Sequence, residues 1–196
     1  MKQYRGILWF AAGAAIMLAA GWIAFPFALY KSTDQPIQFS HKLHTGESVG
    51  LTCESCHSYR DDGEFNGIPT LDQCAACHAS QVGTSEEEKK LVDNYITPHR
   101  EIPWLVYARQ PENVYFSHIQ HVRTAALPCE RCHGAHGSSD RLQPLLVDRI
   151  SGYSRDIAGG PVPGRAANPS DGMTMDDCMK CHEQQSRATS CIDCHK

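Results

Sequence analysis

Cys53-Glu-Ser-Cys56-His57 decides the reading of this sequence, because the same pattern is met four more times. The others are Cys74-Ala-Ala-Cys77-His78, Cys129-Glu-Arg-Cys132-His133, Cys178-Met-Lys-Cys181-His182 and Cys191-Ile-Asp-Cys194-His195. Together they use all 10 cysteines of the 196-residue chain and take five of its 11 histidines. C-x-x-C-H is the attachment pattern of c-type haem. Two thiols three positions apart can form thioethers to the two vinyl groups on one porphyrin edge. The adjacent imidazole then turns under the ring and ligates the iron. Disulfides in an exported protein would also give an even cysteine count, but they do not place His after every second Cys. Structural zinc needs two C-x-x-C pairs per metal and no fixed His. A thioredoxin-like motif would occur once, in a βαβ context that is absent here. Five covalently attached haem c groups are therefore expected.

The remaining histidines are His41, His44, His99, His118, His121 and His136. Five irons held by two imidazoles each need five distal ligands, so the supply exceeds the need by one. Phe39-Ser40-His41-Lys42-Leu43-His44 recurs as Phe116-Ser117-His118-Ile119-Gln120-His121, with His41 12 residues ahead of Cys53 and His118 11 ahead of Cys129. Positions i and i+3 share a helix face, so two such imidazoles can serve two haems lying against that face. His41 and His118 are assigned as distal ligands to the motifs at Cys53–His57 and Cys129–His133, with His44 and His121 serving other haems. One of His99 and His136 is then the spare. Two alternatives stay open. Met173 or Met175 could ligate one iron, and a sixth haem without thioethers could use the surplus His. The F-S-H-x-x-H runs divide the chain into repeat halves of about 36–99 and 114–196.

The amino terminus carries Lys2 and Arg5, then 25 residues without a charge from Gly6 to Tyr30. As a helix that run is ~37 Å long at about 1.5 Å per residue, against a hydrocarbon core of roughly 30 Å. It ends in bulky Phe25-Pro26-Phe27-Ala28-Leu29-Tyr30 rather than a small-x-small cleavage site. An uncleaved transmembrane anchor over 6–30 is expected. The positive flank at 1–5 would be cytoplasmic and the haem domain at 31–196 periplasmic. Haem attachment on the outer face of the bacterial inner membrane agrees with that orientation.

About 166 residues remain for five haems, too few for a separate aliphatic core of ordinary size. The expected fold is mainly α with extensive loops and little β, the porphyrins forming the core. Ser85-Glu-Glu-Glu88 reads as a capping box opening a charged helix through Asn94. Pro103-Trp104-Leu105-Val106-Tyr107 is an apolar run, either a packed linker or a partner contact. The stretch from Gly137 to Asp177 has no Cys or His and is rich in loop chemistry around Ala158–Pro169. It reads as an arm lying on a neighbouring subunit. With 18 Lys+Arg against 22 Asp+Glu and a net charge of -4, the chain lacks a nucleic-acid footprint. With 41% hydrophobic residues, it is not disordered throughout.

The anchor, the two F-S-H-x-x-H runs, the segment from Pro103 through Val114-Tyr115-Phe116-Ser117-His118 and the five C-x-x-C-H motifs together resemble a known family. They are similar to the multihaem cytochrome c subunit of alternative complex III and of the related menaquinone reductase complex (Qrc). The histidine element also resembles small class III (c3/c7-type) cytochromes. The resemblance implies a subunit of a large respiratory membrane assembly. Its partners there would be iron–sulfur and molybdopterin-oxidoreductase-like proteins, integral quinone-binding subunits and a soluble periplasmic cytochrome c. Electron transfer is the expected role, rather than substrate chemistry at the chain itself. Bis-imidazole ligation leaves no open iron for a substrate such as nitrite. It also favours low potentials, which tilts the reading towards electrons running from a periplasmic cytochrome to menaquinone. The reverse direction, from quinol to an acceptor as in alternative complex III, and a free-standing quinol dehydrogenase of the NapC/NrfH type are the alternatives.

Overall fold

A computed structural model of the chain describes residues 2–61, 63, 67–107, 112–152 and 173–196. Helix α1 (Lys2–Leu29) is rich in alanine, which favours the helical backbone. Its described large apolar side chains, among them Tyr4, Trp9, Phe10, Trp22 and Phe25, are exposed. Tyr4–Trp22 is long and apolar enough to cross a membrane. Strand β1 (Tyr30–Thr33) follows at once and pairs antiparallel with β2 (Leu145–Asp148), Tyr30 opposite Asp148 and Thr33 opposite Leu145. The carbonyl of Leu29 also accepts from the Arg149 N–H at 2.9 Å. This corrects the reading of 137–177 as one continuous arm: Leu145–Asp148 is fastened to the foot of α1. The rest of that expected arm, residues 153–172, lies outside the described residues.

The body is built of short helices and loops. The first half holds α2 (His41–Thr45), a 3-10 turn (Cys53–Ser55), α3 (Leu71–His78) and α4 (Glu86–Leu91), which runs into a π turn (Val92–Ile96). The second half holds a π turn (Ile119–Thr124), α5 (Glu130–His133), a 3-10 turn (Gly134–Ser138), α6 (Met175–Gln184) and α7 (Cys191–Cys194). Helix α4 starts where the capping signal places it, with Ser85 Oγ accepting from the Glu87 N–H at 3.2 Å. The reciprocal arm of a capping box is missing, because Glu88 bonds elsewhere, and regular α structure stops at Leu91 rather than Asn94.

The aliphatic core among the described residues is small. Ile37, Leu71, Leu91, Tyr95 and Ile102 are buried, with Cys74, Ile96 and Trp104 packed against them. All belong to the first half and the segment after it. Among the described residues of the second half no apolar side chain is buried to that degree. The run Pro103–Tyr107 proves to be a packed linker at its start. Buried Gln35 donates from Nε2 to the Leu105 carbonyl at 2.8 Å and accepts the Leu105 N–H at 3.0 Å.

The halves interlock. The Lys42 N–H donates to the Ser139 carbonyl at 3.1 Å, and Thr45 Oγ1 donates to the Gly137 carbonyl at 2.9 Å. Gly63 accepts from the Ile119 N–H at 3.2 Å. Its φ is +69°, and a Cβ there would meet Ile119 Cδ1 at 2.2 Å, so only glycine fits this junction. At the other end the fifth motif brackets the start of the second half. Tyr115 N–H donates to the Cys194 carbonyl at 2.8 Å and Lys196 N–H to the Asn113 carbonyl at 2.9 Å.

Candidate functional site

Each residue of F-S-H-x-x-H has a local job. Ser40 caps α2, its Oγ accepting from the Leu43 N–H at 3.1 Å. Its carbonyl accepts from His44 Nδ1 at 2.8 Å. Phe39 wedges between the two imidazoles, edge-on to His41 (centroids 4.9 Å apart, 84°) and stacked on His44 (4.3 Å, 26°). The second run repeats this. Phe116 meets His118 at 4.8 Å and 90°, and His121 at 4.7 Å and 20°. The Ser117 carbonyl accepts from His121 Nδ1 at 2.8 Å. The hexapeptide thus splays its two imidazoles in different directions.

Three of these imidazoles face an imidazole of a C-x-x-C-H motif at nearly one distance. His44 faces His78 at 6.2 Å, His118 faces His133 at 6.2 Å, and His121 faces His182 at 6.1 Å between centroids. Two imidazoles bonded to opposite sides of one metal at about 2 Å each, with about 1.1 Å from nitrogen to ring centre, set their centroids roughly 6 Å apart. The spacing suits one iron between each pair. The fourth, His41, lies within electrostatic reach of His57, and burial together with His57, His136 and His44 lowers its pKa to about 4. It is therefore neutral at pH 7, with a lone pair available to a metal.

Hydrogen bonding selects the tautomer. A carbonyl can only accept, so an imidazole bonded to one through Nδ1 carries its proton there and presents Nε2 to a metal. His57 donates from Nδ1 to the Gly67 carbonyl at 3.0 Å and His182 to that of Ala188 at 3.0 Å, matching His44 and His121. His78 differs: its Nδ1 lies 2.8 Å from Glu88 Oε1.

All ten thiols are free of disulfides. In α3, Cys74, Cys77 and His78 stand at i, i+3 and i+4 and so share one helix face. Thiols of different motifs also lie within electrostatic reach of one another. Cys56 neighbours Cys74 and Cys77, Cys53 contacts Cys129, Cys132 neighbours Cys178 and Cys181, and Cys178 neighbours Cys194. Burial first, and then these neighbours, raise the pKa of Cys56, Cys74, Cys129, Cys132 and Cys178. An open cleft of about 380 Å³ lies between the third and fourth motifs, lined by Cys132, Cys181, Met173, Arg131 and Lys180 among others. Among the described residues, two buried polar atoms, Tyr59 Oη and Trp104 Nε1, have no protein partner, and Trp104 and Cys74 both pack against the core. Polar donors of this kind suit a group with carboxylate arms, such as haem.

The other candidates fall in different places. His136 stacks on Tyr107 at 5.4 Å and stands near His41. His99 is exposed, in a turn with φ +49°. Met173 lines the cleft, with its N–H on the Cys132 carbonyl at 3.0 Å, whereas Met175 is 58% exposed. His195 forms a bridge with Val114, and no described imidazole faces it at the spacing of the three pairs.

Sequence reasoning missed the caps that seat the motifs. Thr70-Leu-Asp-Gln73-Cys74 and Thr174-Met-Asp-Asp177-Cys178 are parallel capping boxes four residues ahead of the first thiol. Thr52 with Ser55 and Ser190 with Asp193 do the same from the residue immediately before it. Thr174 in particular holds the Asp177 carboxyl below its usual range. The T-x-x-Q/D spacing was there to be found.

Residues 24–104 match the class III cytochrome c family. The chain is also 34% identical over 202 aligned positions to the menaquinone reductase multihaem cytochrome c subunit of Nitratidesulfovibrio vulgaris, covering 95% of this chain and 89% of that protein. Covalently attached haem c and multihaem electron transfer follow from this kinship and from the paired imidazoles. The chain belongs to the family of multihaem cytochrome c subunits of menaquinone reductase.

Proposed function

We propose that the chain is a pentahaem relay anchored by α1 in the bacterial inner membrane, with its haem domain on the periplasmic side. In this reading each C-x-x-C-H motif carries one haem c. His41 with His57, His44 with His78, His118 with His133, and His121 with His182 hold four irons, while His195 holds the fifth on one face. The second ligand of the fifth comes from outside those four pairs. Bound haem would supply one-electron redox chemistry, and an iron held by two imidazoles would have no position left for a substrate. The protein's own part is to fix ring orientation through Phe39 and Phe116, fix tautomers through backbone carbonyls, and exclude bulk water. The facing imidazole pairs near 6 Å are the observation that carries the reading.

The thiol neighbourhoods support an order of attachment sites running Cys74/Cys77, Cys53/Cys56, Cys129/Cys132, Cys178/Cys181, Cys191/Cys194. Electrons would pass along that row between a soluble periplasmic cytochrome c and the menaquinone-reactive subunits of a membrane complex. That complex would also contain iron–sulfur and molybdopterin-oxidoreductase-like subunits, and the chain itself would carry out no substrate chemistry. The test is purification in mild detergent followed by mixing with reduced periplasmic cytochrome and a menaquinone analogue. A multi-subunit complex in which these haems reduce before quinol appears is the expected result. A lone protein that oxidises menaquinol by itself would overturn the reading.

A further inference from the structure

Glu88 sits where the sequence expects an ordinary capping residue, yet its carboxylate is turned away from the start of α4. Oε1 accepts from His78 Nδ1 at 2.8 Å and from the Val82 N–H at 2.7 Å, and Oε2 accepts from the Gly83 N–H at 2.8 Å. The loop closes tightly on it: a Cβ at Gly83 would meet Oε2 at 2.9 Å. The side chain is only 11% exposed. His57, His182, His44 and His121 instead bond neutral backbone carbonyls. His78 meets a carboxylate, that of Glu88.

The difference has an electronic consequence. A carboxylate draws on the Nδ1 proton and leaves more electron density at Nε2, which makes the imidazole a stronger donor. A stronger axial donor stabilises the oxidised iron more than the reduced iron, so the potential falls. We propose that Glu88 is a tuning residue, which through His78 holds the haem attached at Cys74 and Cys77 more reducing than a carbonyl partner would. The inference rests on the proposed ligation by His78. It adds a residue-level control on one end of the row.

The test is a potentiometric titration of the full-length holoprotein followed by EPR, as wild type, Glu88→Gln and Glu86→Gln. The Glu88→Gln side chain keeps an oxygen to accept from His78 and the loop but loses the charge. Glu86 is exposed, opens the same helix and touches no imidazole in the described contacts. The haem in question is identified as the one whose low-spin signal is lost in His44→Ala. In Glu88→Gln that haem should become easier to reduce by about tenfold in its reduced-to-oxidised ratio, a shift of about 59 mV for one electron. Its largest g value should rise, while the other haems and the Glu86→Gln protein stay unchanged. No shift in Glu88→Gln, or an equal shift in Glu86→Gln, overturns the tuning role and leaves the ligation intact. A wild-type haem at Cys74 and Cys77 that is already high-spin overturns the pairing of His44 with His78 on one iron, and the tuning of that low-spin haem with it.

Discussion

Phe39 holds His41 at 4.9 Å and His44 at 4.3 Å; Phe116 holds His118 at 4.8 Å and His121 at 4.7 Å. The ground beneath the two hexapeptides differs. In the first half the second imidazole lies in a regular helical turn, and that half with the segment after it holds a buried aliphatic cluster of Ile37, Leu71, Leu91, Tyr95 and Ile102. In the second half the same residues enter a π turn, and no described side chain there joins a comparable cluster. Ring placement is therefore a property of six consecutive residues. Stability is a property of what surrounds them, and among the described residues of the second half no aliphatic cluster supplies it.

The largest effect should come from removing a haem on each side of that divide. Cys129→Ser with Cys132→Ser should leave the backbone amides of the second half exchanging as in an unfolded chain. Cys53→Ser with Cys56→Ser should leave α3 and α4 protected by their aliphatic cluster. Hydrogen exchange read by mass spectrometry compares the two, and equal loss in both halves would break the contrast.

The facing rings sharpen it. The rings of His118 and His133 are parallel to within 1° and those of His121 and His182 to within 19°, whereas His44 and His78 are tilted by 53°. Parallel imidazoles on one iron would split its d orbitals and give a rhombic low-spin EPR signal, and tilted ones would give a more anisotropic signal. His121→Ala should remove a rhombic signal and His44→Ala a more anisotropic one, each with the appearance of one high-spin haem.

Smaller effects follow the same line. Leu71 is 2% exposed, and Leu71→Ala should lower the stability of the first half by about 2–5 kcal/mol in chemical denaturation, with the second half unaffected. Ser40→Ala should cost about 1 kcal/mol through loss of its cap. Ser117→Ala should cost less, because its Oγ accepts from the Gln120 N–H only at 3.4 Å, against 3.1 Å for Ser40 and Leu43.

What could be read from the sequence was whatever is local. The C-x-x-C-H motifs, the F-S-H-x-x-H repeat, the apolar amino-terminal helix and the scarcity of strand all rest on spacing within a few residues. The pairing of Tyr30–Thr33 with Leu145–Asp148 joins segments more than a hundred residues apart, and neither carries a hairpin signal. Glu88 was legible as a capping residue and not as the partner of His78, because that contact needs the loop at Val82 and Gly83 to fold back. The aromatic of each hexapeptide was visible as a repeat, but its wedge between two imidazoles appears only in three dimensions.

The central claim is that imidazoles from the hexapeptides and from the attachment motifs share irons in pairs. Near-infrared magnetic circular dichroism of the oxidised holoprotein, with haem content fixed by intact mass, tests it most directly. The account expects five haems by mass, at least four of them low-spin with two imidazoles each. A spectrum dominated by high-spin or Met-ligated haem would contradict it.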